Sequence, residues 1–169
     1  RYIGKLFSLS SNLPNFQKKF PDAKIIYMIR DPLSVIPSGL SLVTGVLDKR
    51  FNFWSLDESI KRQFIKRLYN ALIELLLRFQ KDWENQKIDK EKVFIVRFDS
   101  MMEDFDTLMV NLLDFLDEEK NDEMMQKIKQ VAKQQRQYKS GHKYDLEKFG
   151  LTKEQIQNDC KPIYKTFLN

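Results

Sequence analysis

Arg30 and Ser38 stand eight positions apart in the stretch Pro21–Leu42, PDAKIIYMIRDPLSVIPSGLSL. A guanidinium offers a fixed fork of N–H donors and a serine adds a small hydroxyl, a pair suited to an anionic phosphate. Local patterning supplies the elements to position them. The apolar run Ala23–Ile29 reads as a short strand ending at Arg30, which would sit at the carboxyl edge of a sheet, where open α/β folds place ligands. Asp31 then reads as a helix N-cap and Pro32 as its first residue. The N–H groups and positive dipole end of that helix would face the same space as Arg30. Spacing alone leaves a second reading open: an ordinary strand–helix turn whose arginine pairs with a surface carboxylate.

Arg30-Asp31-Pro32 followed by Ser38 resembles the 3′-phosphate-binding motif of the PAPS-dependent sulfotransferases. In that family the arginine and serine hold the 3′-phosphate of 3′-phosphoadenosine 5′-phosphosulfate (PAPS). Val93–Met102, VFIVRFDSMM, is similar to the family's second strand, usually apolar residues followed by Tyr-Glu-Asp-Leu. The helix Asp106–Leu116 resembles the segment after it, which ends in Phe-Leu, here Phe115-Leu116. His142–Tyr144 and Phe149–Leu151, within HKYDLEKFGLTKEQI, look like the C-terminal signature of bacterial-type members.

The resemblance implies an α/β fold: an incomplete, P-loop-NTPase-like parallel sheet flanked by helices, helix-rich. It implies an enzyme that moves a sulfuryl group from PAPS to an acceptor hydroxyl or amine, without a metal, and leaves 3′,5′-bisphosphoadenosine. Arg30 and Ser38 would bind the co-substrate, joined by Lys139 and Lys143 from a basic loop over the 3′-phosphate. The partners implied are this nucleotide and an acceptor (glycan, lipid or small molecule) that the residues do not specify.

The family begins with a strand, a glycine-rich phosphosulfate loop and a helix, and no such loop occurs here. Five glycines are scattered at Gly4, Gly39, Gly45, Gly141 and Gly150, and the chain opens on Arg1. The expectation is that residues 1–169 form the C-terminal part of a single sulfotransferase domain, with the phosphosulfate-loop half absent. Its catalytic lysine and base would be absent too, so the chain alone is expected to be inactive. His142 is the sole histidine. As a general base it is the weaker reading, beside an ordinary loop hydrogen bond or a contact to co-substrate or acceptor.

Composition bounds these readings. A chain of 169 residues, 42% hydrophobic with 13 phenylalanines, makes one domain or most of one with a real core. The lone Cys160 excludes an internal disulfide, and one His with one Cys cannot form a standard zinc set. Cys160 is expected to be a buried thiol. No run approaches a transmembrane span. A cytoplasmic location is the default, and a lumenal one behind a lost N-terminal anchor is the alternative.

The net charge of +5 lies wholly between Lys120 and Lys143, where seven Lys/Arg face only Asp122 and Glu123. A solvated helix face accounts for Lys127, Lys129 and Lys133. Two other classes fit parts of the pattern. One is another nucleotide enzyme, such as a phosphate-loop kinase; the other is a non-catalytic basic helical module binding nucleic acid or anionic glycan. Aromatic residues are not interleaved with these lysines, so nucleic acid is not expected.

Further elements follow from periodicity. Helices are expected over Ser10–Phe20, Leu33–Leu47, Phe105–Asp117 capped by Asp104, and Glu123–Tyr138. Ser55-Leu56-Asp57-Glu58 reads as a capping box opening a helix to about Asn85, with Ile60, Phe64, Leu68, Leu72, Leu75, Leu76 and Phe79 inward and Ile65, Tyr69 and Ile73 widening the arc. Pro37 should kink or delay the second helix. Val93–Phe98 is the second strand, and the near-continuous apolar run of the first suggests cover on both faces. Thr152-Lys153-Glu154-Gln155 caps a last helix that Pro162 bends or ends. Phe51, Phe53 and Trp54 could line an apolar pocket or pack a helix entry.

Overall fold

A computed structural model describes residues 2–6, 8–137 and 145–168. The chain divides into two compact units, one of Arg1–Lys19, Asp31–Ile88 and Lys143–Asn169, the other of Phe20–Arg30 and Asp89–His142. The fold class is helix-rich α/β, with a two-stranded parallel sheet among the described residues.

The sheet-centred unit is built on β1 (Ile25–Ile29) and β2 (Val93–Arg97), paired in register from Ile25 opposite Val93 to Ile29 opposite Arg97. β2 runs directly into a short α4 (Phe98–Glu103), so Phe98 begins a helix rather than ending the strand. Then come α5 (Phe105–Leu116) and α6 (Asp122–Gln137). Asp104 caps α5 as expected, its carboxylate accepting the Thr107 N–H at 3.2 Å. Lys24, at the entrance to β1, donates to the Phe115 carbonyl at the end of α5 and pairs with Asp117. Phe94 of β2 packs on the Phe115 ring, centroids 5.4 Å apart. On β1, Ile25 and Ile29 are buried, but Ile26 and Met28 on the opposite face stay 45% and 55% exposed. The expected cover on both faces is therefore corrected to cover on one. An apolar run reports that a strand is hydrophobic on two sides, not that both sides have neighbours here.

The helical unit holds α1 (Leu13–Lys19), α2 (Pro32–Phe51), α3 (Glu58–Glu84), α7 (Lys153–Asp159) and α8 (Lys161–Ile163), closed by a π-helical turn Tyr164–Leu168. α2 starts at Pro32 and passes through Pro37 without interruption, so the expected delay does not occur. The Pro37 ring is buried alongside Ile36 and Leu40, and that packing offsets the missing amide bond. α2 ends at Asn52, in the left-handed region with φ 51°, whose N–H donates to the Asp48 carbonyl.

The capping box at Ser55–Glu58 is not formed. Ser55 lies in a 3-10 turn, Phe53–Ser55, and its hydroxyl donates to the Asn52 carbonyl. Phe53 explains the difference: it is buried against Phe64, centroids 5.3 Å apart, and draws the turn inward. Phe53 is thus packing, while Phe51 is exposed. Glu58 pairs with Lys61 and Arg62, which hold its carboxyl below the usual range.

The buried face of α3 centres on Ile65, Tyr69, Ile73 and Phe79, and Ile60 is 51% exposed. α2 approaches this helix closely, since a Cβ on Gly39 would come within 3.0 Å of Leu72 Cδ1. Thr152 caps α7 through the Gln155 N–H at 3.1 Å, and the helix breaks at Cys160, before Pro162. Cys160 is fully buried, as expected, and burial pushes its thiol up to about 12.

Candidate functional site

The parallel register decides what stands at the carboxyl end of the sheet. Ile29 lies opposite Arg97, so the next residues, Arg30 and Phe98, leave the two strands side by side. Their side chains meet: the Arg30 guanidinium lies over the Phe98 ring, 4.2 Å from its centroid. A ring face binds a cation through its quadrupole and leaves the in-plane N–H fork free for an anion. Arg30 is half-buried, and among the described residues no carboxylate pairs with it.

The second arginine at this edge is in a different state. Arg97 donates through Nε to Asp99 Oδ1 at 3.1 Å and closes a second bond to Asp99 Oδ2. The Asp99 hydrogen bond raises the guanidinium's pKa, and Arg97 in turn lowers that of the Asp99 carboxyl. A bidentate pair of this kind neutralises itself. Of the two arginines at the strand ends, Arg30 therefore carries the uncompensated charge. Phe98 is the residue that motif reading missed, because its contact depends on the pairing of strands far apart in sequence.

In the helical unit, Asp31 caps α2 as its sequence predicted. Its Oδ1 accepts the Leu33 N–H at 2.8 Å, while the Ser34 and Val35 N–H groups donate to its backbone carbonyl at 2.8 and 3.0 Å. Pro32 has no N–H to offer. The first-turn amides are thus taken, and the expectation that they present free donors to a phosphate is corrected. What the helix start keeps is its dipole, which the Asp31 carboxylate already faces. Ser38, further along α2, is half-buried, and no hydrogen bond to its hydroxyl is made among the described residues. Thr44, on the same helix, instead turns its hydroxyl back to the Leu40 carbonyl at 2.7 Å.

Arg30 belongs to the sheet-centred unit and Ser38 to the helical one. Lys139, His142 and Lys143 lie outside the described residues. The preceding basic helix α6 buries Ile128 and Ala132 and exposes Lys127, Lys129 and Lys133, the solvated face expected of it. A surface depression of about 650 Å³ runs along α6 past Asn121, Lys127 and Gln130, and contains neither Arg30 nor Ser38. The chemistry of Arg30 argues for the sheet edge over that depression, which holds one lysine and one glutamate on an open helix face. Among the described residues no cluster of His, Cys, Asp or Glu could hold a metal ion. Among them, too, no helix is long and apolar enough to cross a membrane.

A family model described as "Sulfotransferase family" matches residues 1–123. The chain is similar in structure to sulfotransferase STF9 from Mycobacterium avium, at 22% identity with a TM-score of 0.76. The match covers 97% of this chain and 41% of that one, so the chain spans about two fifths of the length of that relative. At this identity the likeness is one of fold. No curated protein matches the chain.

Proposed function

The chain belongs to the sulfotransferase family, and we propose that its Arg30 and Ser38 together bind the 3′-phosphate of PAPS. On this reading residues 1–169 are the C-terminal part of one sulfotransferase domain. Upstream polypeptide supplies the phosphosulfate loop, the catalytic groups and the neighbours that cover Ile26 and Met28. The observation that carries the reading is Arg30 itself: a half-buried guanidinium, backed by Phe98, with its charge uncompensated beside the self-neutralised Arg97–Asp99 pair.

The reaction assigned to the complete domain is sulfuryl transfer. An acceptor oxygen or nitrogen forms a bond to sulfur while sulfur's bond to the bridging phosphate oxygen breaks. The acceptor gives its proton to a base, and negative charge grows on the departing phosphate. Such in-line transfer asks a protein mainly for positioning and for charge stabilisation. Arg30 and Ser38 contribute positioning, since they hold the nucleotide by the end remote from sulfur. Lys139 and Lys143 are assigned to the same 3′-phosphate from the side of the basic loop.

Isothermal titration of the full-length protein tests this. The 3′,5′-bisphosphoadenosine product should bind more tightly than adenosine 5′-monophosphate, and ATP should give no response. Equal affinity for the two adenosine nucleotides would remove the 3′-phosphate site. The 169-residue chain alone should transfer no label from a labelled sulfuryl donor, and turnover would contradict the assignment of catalysis to upstream residues.

A further inference from the structure

The motif's aspartate is held from the far end of the chain. Asp31 Oδ1 accepts the Tyr164 phenol O–H at 2.6 Å in addition to the Leu33 N–H at 2.8 Å. Tyr164 opens the π-helical turn after Pro162, and neighbouring bonds fix that element within the same unit. Tyr69 donates its O–H to Asp159 Oδ2 at 2.6 Å, and Gln80 Nε2 donates to Thr166 Oγ1 at 3.0 Å. Cys160 and Ile163, between these anchors, are fully buried. The phenol is therefore presented by a fixed support and does not reach in from a loose end.

A carboxylate next in sequence to a phosphate-binding arginine is a hazard. If free to rotate, it repels the phosphate and competes for the guanidinium. Holding its charge on the start of α2 removes that competition, because the helix dipole and the Leu33 N–H favour it there. Charge-assisted donation from a half-buried phenol is a strong way to hold it.

We infer that Tyr164 is a positioning residue for the phosphate-binding turn: its hydrogen bond to Asp31 fixes the cap of the helix that carries Ser38 and keeps the Asp31 charge out of competition with the bound 3′-phosphate. The inference rests on the reading of Arg30 and Ser38 given above. Burial and then the Asp31 carboxylate raise the pKa of the Tyr164 hydroxyl, so it remains a donor through the working pH range.

The test is titration of the full-length protein with 3′,5′-bisphosphoadenosine and with adenosine 5′-monophosphate, read as the ratio of the two affinities. Tyr164→Phe should lower that ratio about five- to tenfold, with the monophosphate affinity unchanged. Asp31→Asn removes the competing charge and keeps an acceptor oxygen, so its ratio should be no lower than wild type. Adding Tyr164→Phe to Asp31→Asn should then change the ratio by less than about twofold. A merely structural phenol predicts the same loss in both backgrounds, and that result would overturn the inference. So would an unaltered ratio in Tyr164→Phe, or a fall in Asp31→Asn alone, which is decisive even if Tyr164→Phe does not fold. A wild-type protein without preference for the bisphosphate would instead sink the reading of Arg30 and Ser38, and this inference with it.

Discussion

The Arg30 guanidinium rests on the Phe98 ring at 4.2 Å, at the carboxyl end of two paired parallel strands. That contact supplies what a phosphate-binding arginine needs: a fixed position without a competing carboxylate. A cation–π contact contributes about 0.5–2 kcal/mol, depending on how far it is desolvated. Phe98→Leu is therefore expected to weaken 3′,5′-bisphosphoadenosine binding by about that amount, while Phe98→Tyr retains it. Titration calorimetry on both variants checks this, and equal binding by Phe98→Leu would reduce Phe98 to core packing.

Two glycines of α2 should respond in opposite directions. Nothing lies within 4 Å of a Cβ placed on Gly45, so Gly45→Ala gains helix propensity and should stabilise by about 0.5–1 kcal/mol. At Gly39 the Leu72 side chain is already in contact, so Gly39→Leu overpacks the α2–α3 seam and should cost about 1–3 kcal/mol. Chemical denaturation of the two variants gives the signs directly.

Cys160 fixes a limb of the alkaline stability profile. Burial first, then Asp159 and Asp31, raise its folded pKa to about 12, while an unfolded thiol ionises near about 8.5. A raised folded pKa contributes stability that is fully present below the unfolded value and lost as pH rises toward the folded one. Stability should therefore decline from about pH 8.5 upward. In Cys160→Ala the decline should start later, near the ionisation of the tyrosines. A thiol reagent should label Cys160 only after denaturation, and rapid labelling of the native protein would contradict the buried assignment.

Asp104 acts at the acid end. Its bonds from Thr107 at the start of α5 lower its pKa, so its contribution is present above the unfolded carboxyl value and lost as pH falls through the folded one. Asp104→Asn keeps a capping oxygen and removes the titration. It should flatten the acid limb of a pH–stability profile below about pH 4, and an unchanged limb would show that other carboxylates control it.

Local chemistry was legible in the sequence where it was decided locally. Asp31, Asp104 and Thr152 all cap the helices they were expected to cap, because a side-chain oxygen and an amide two or three residues later need no distant partner. The failures have tertiary causes. Burial of Phe53 takes Ser55 out of its box, and β1 is covered on one face only, which leaves Ile26 and Met28 exposed. At the proposed site, the motif pointed to Arg30 and Ser38, while Phe98 and Tyr164 carried no local signal. One contact is set by strand register and the other by a hydrogen bond spanning 133 positions.

The most direct measurement is a titration of Arg30→Ala in the full-length protein. Losing a charge-assisted phosphate contact should weaken 3′,5′-bisphosphoadenosine by about 2–4 kcal/mol, roughly 30- to 700-fold, and leave adenosine 5′-monophosphate unaffected. Wild-type affinity for the bisphosphate in that variant would contradict the assignment of Arg30 to the nucleotide.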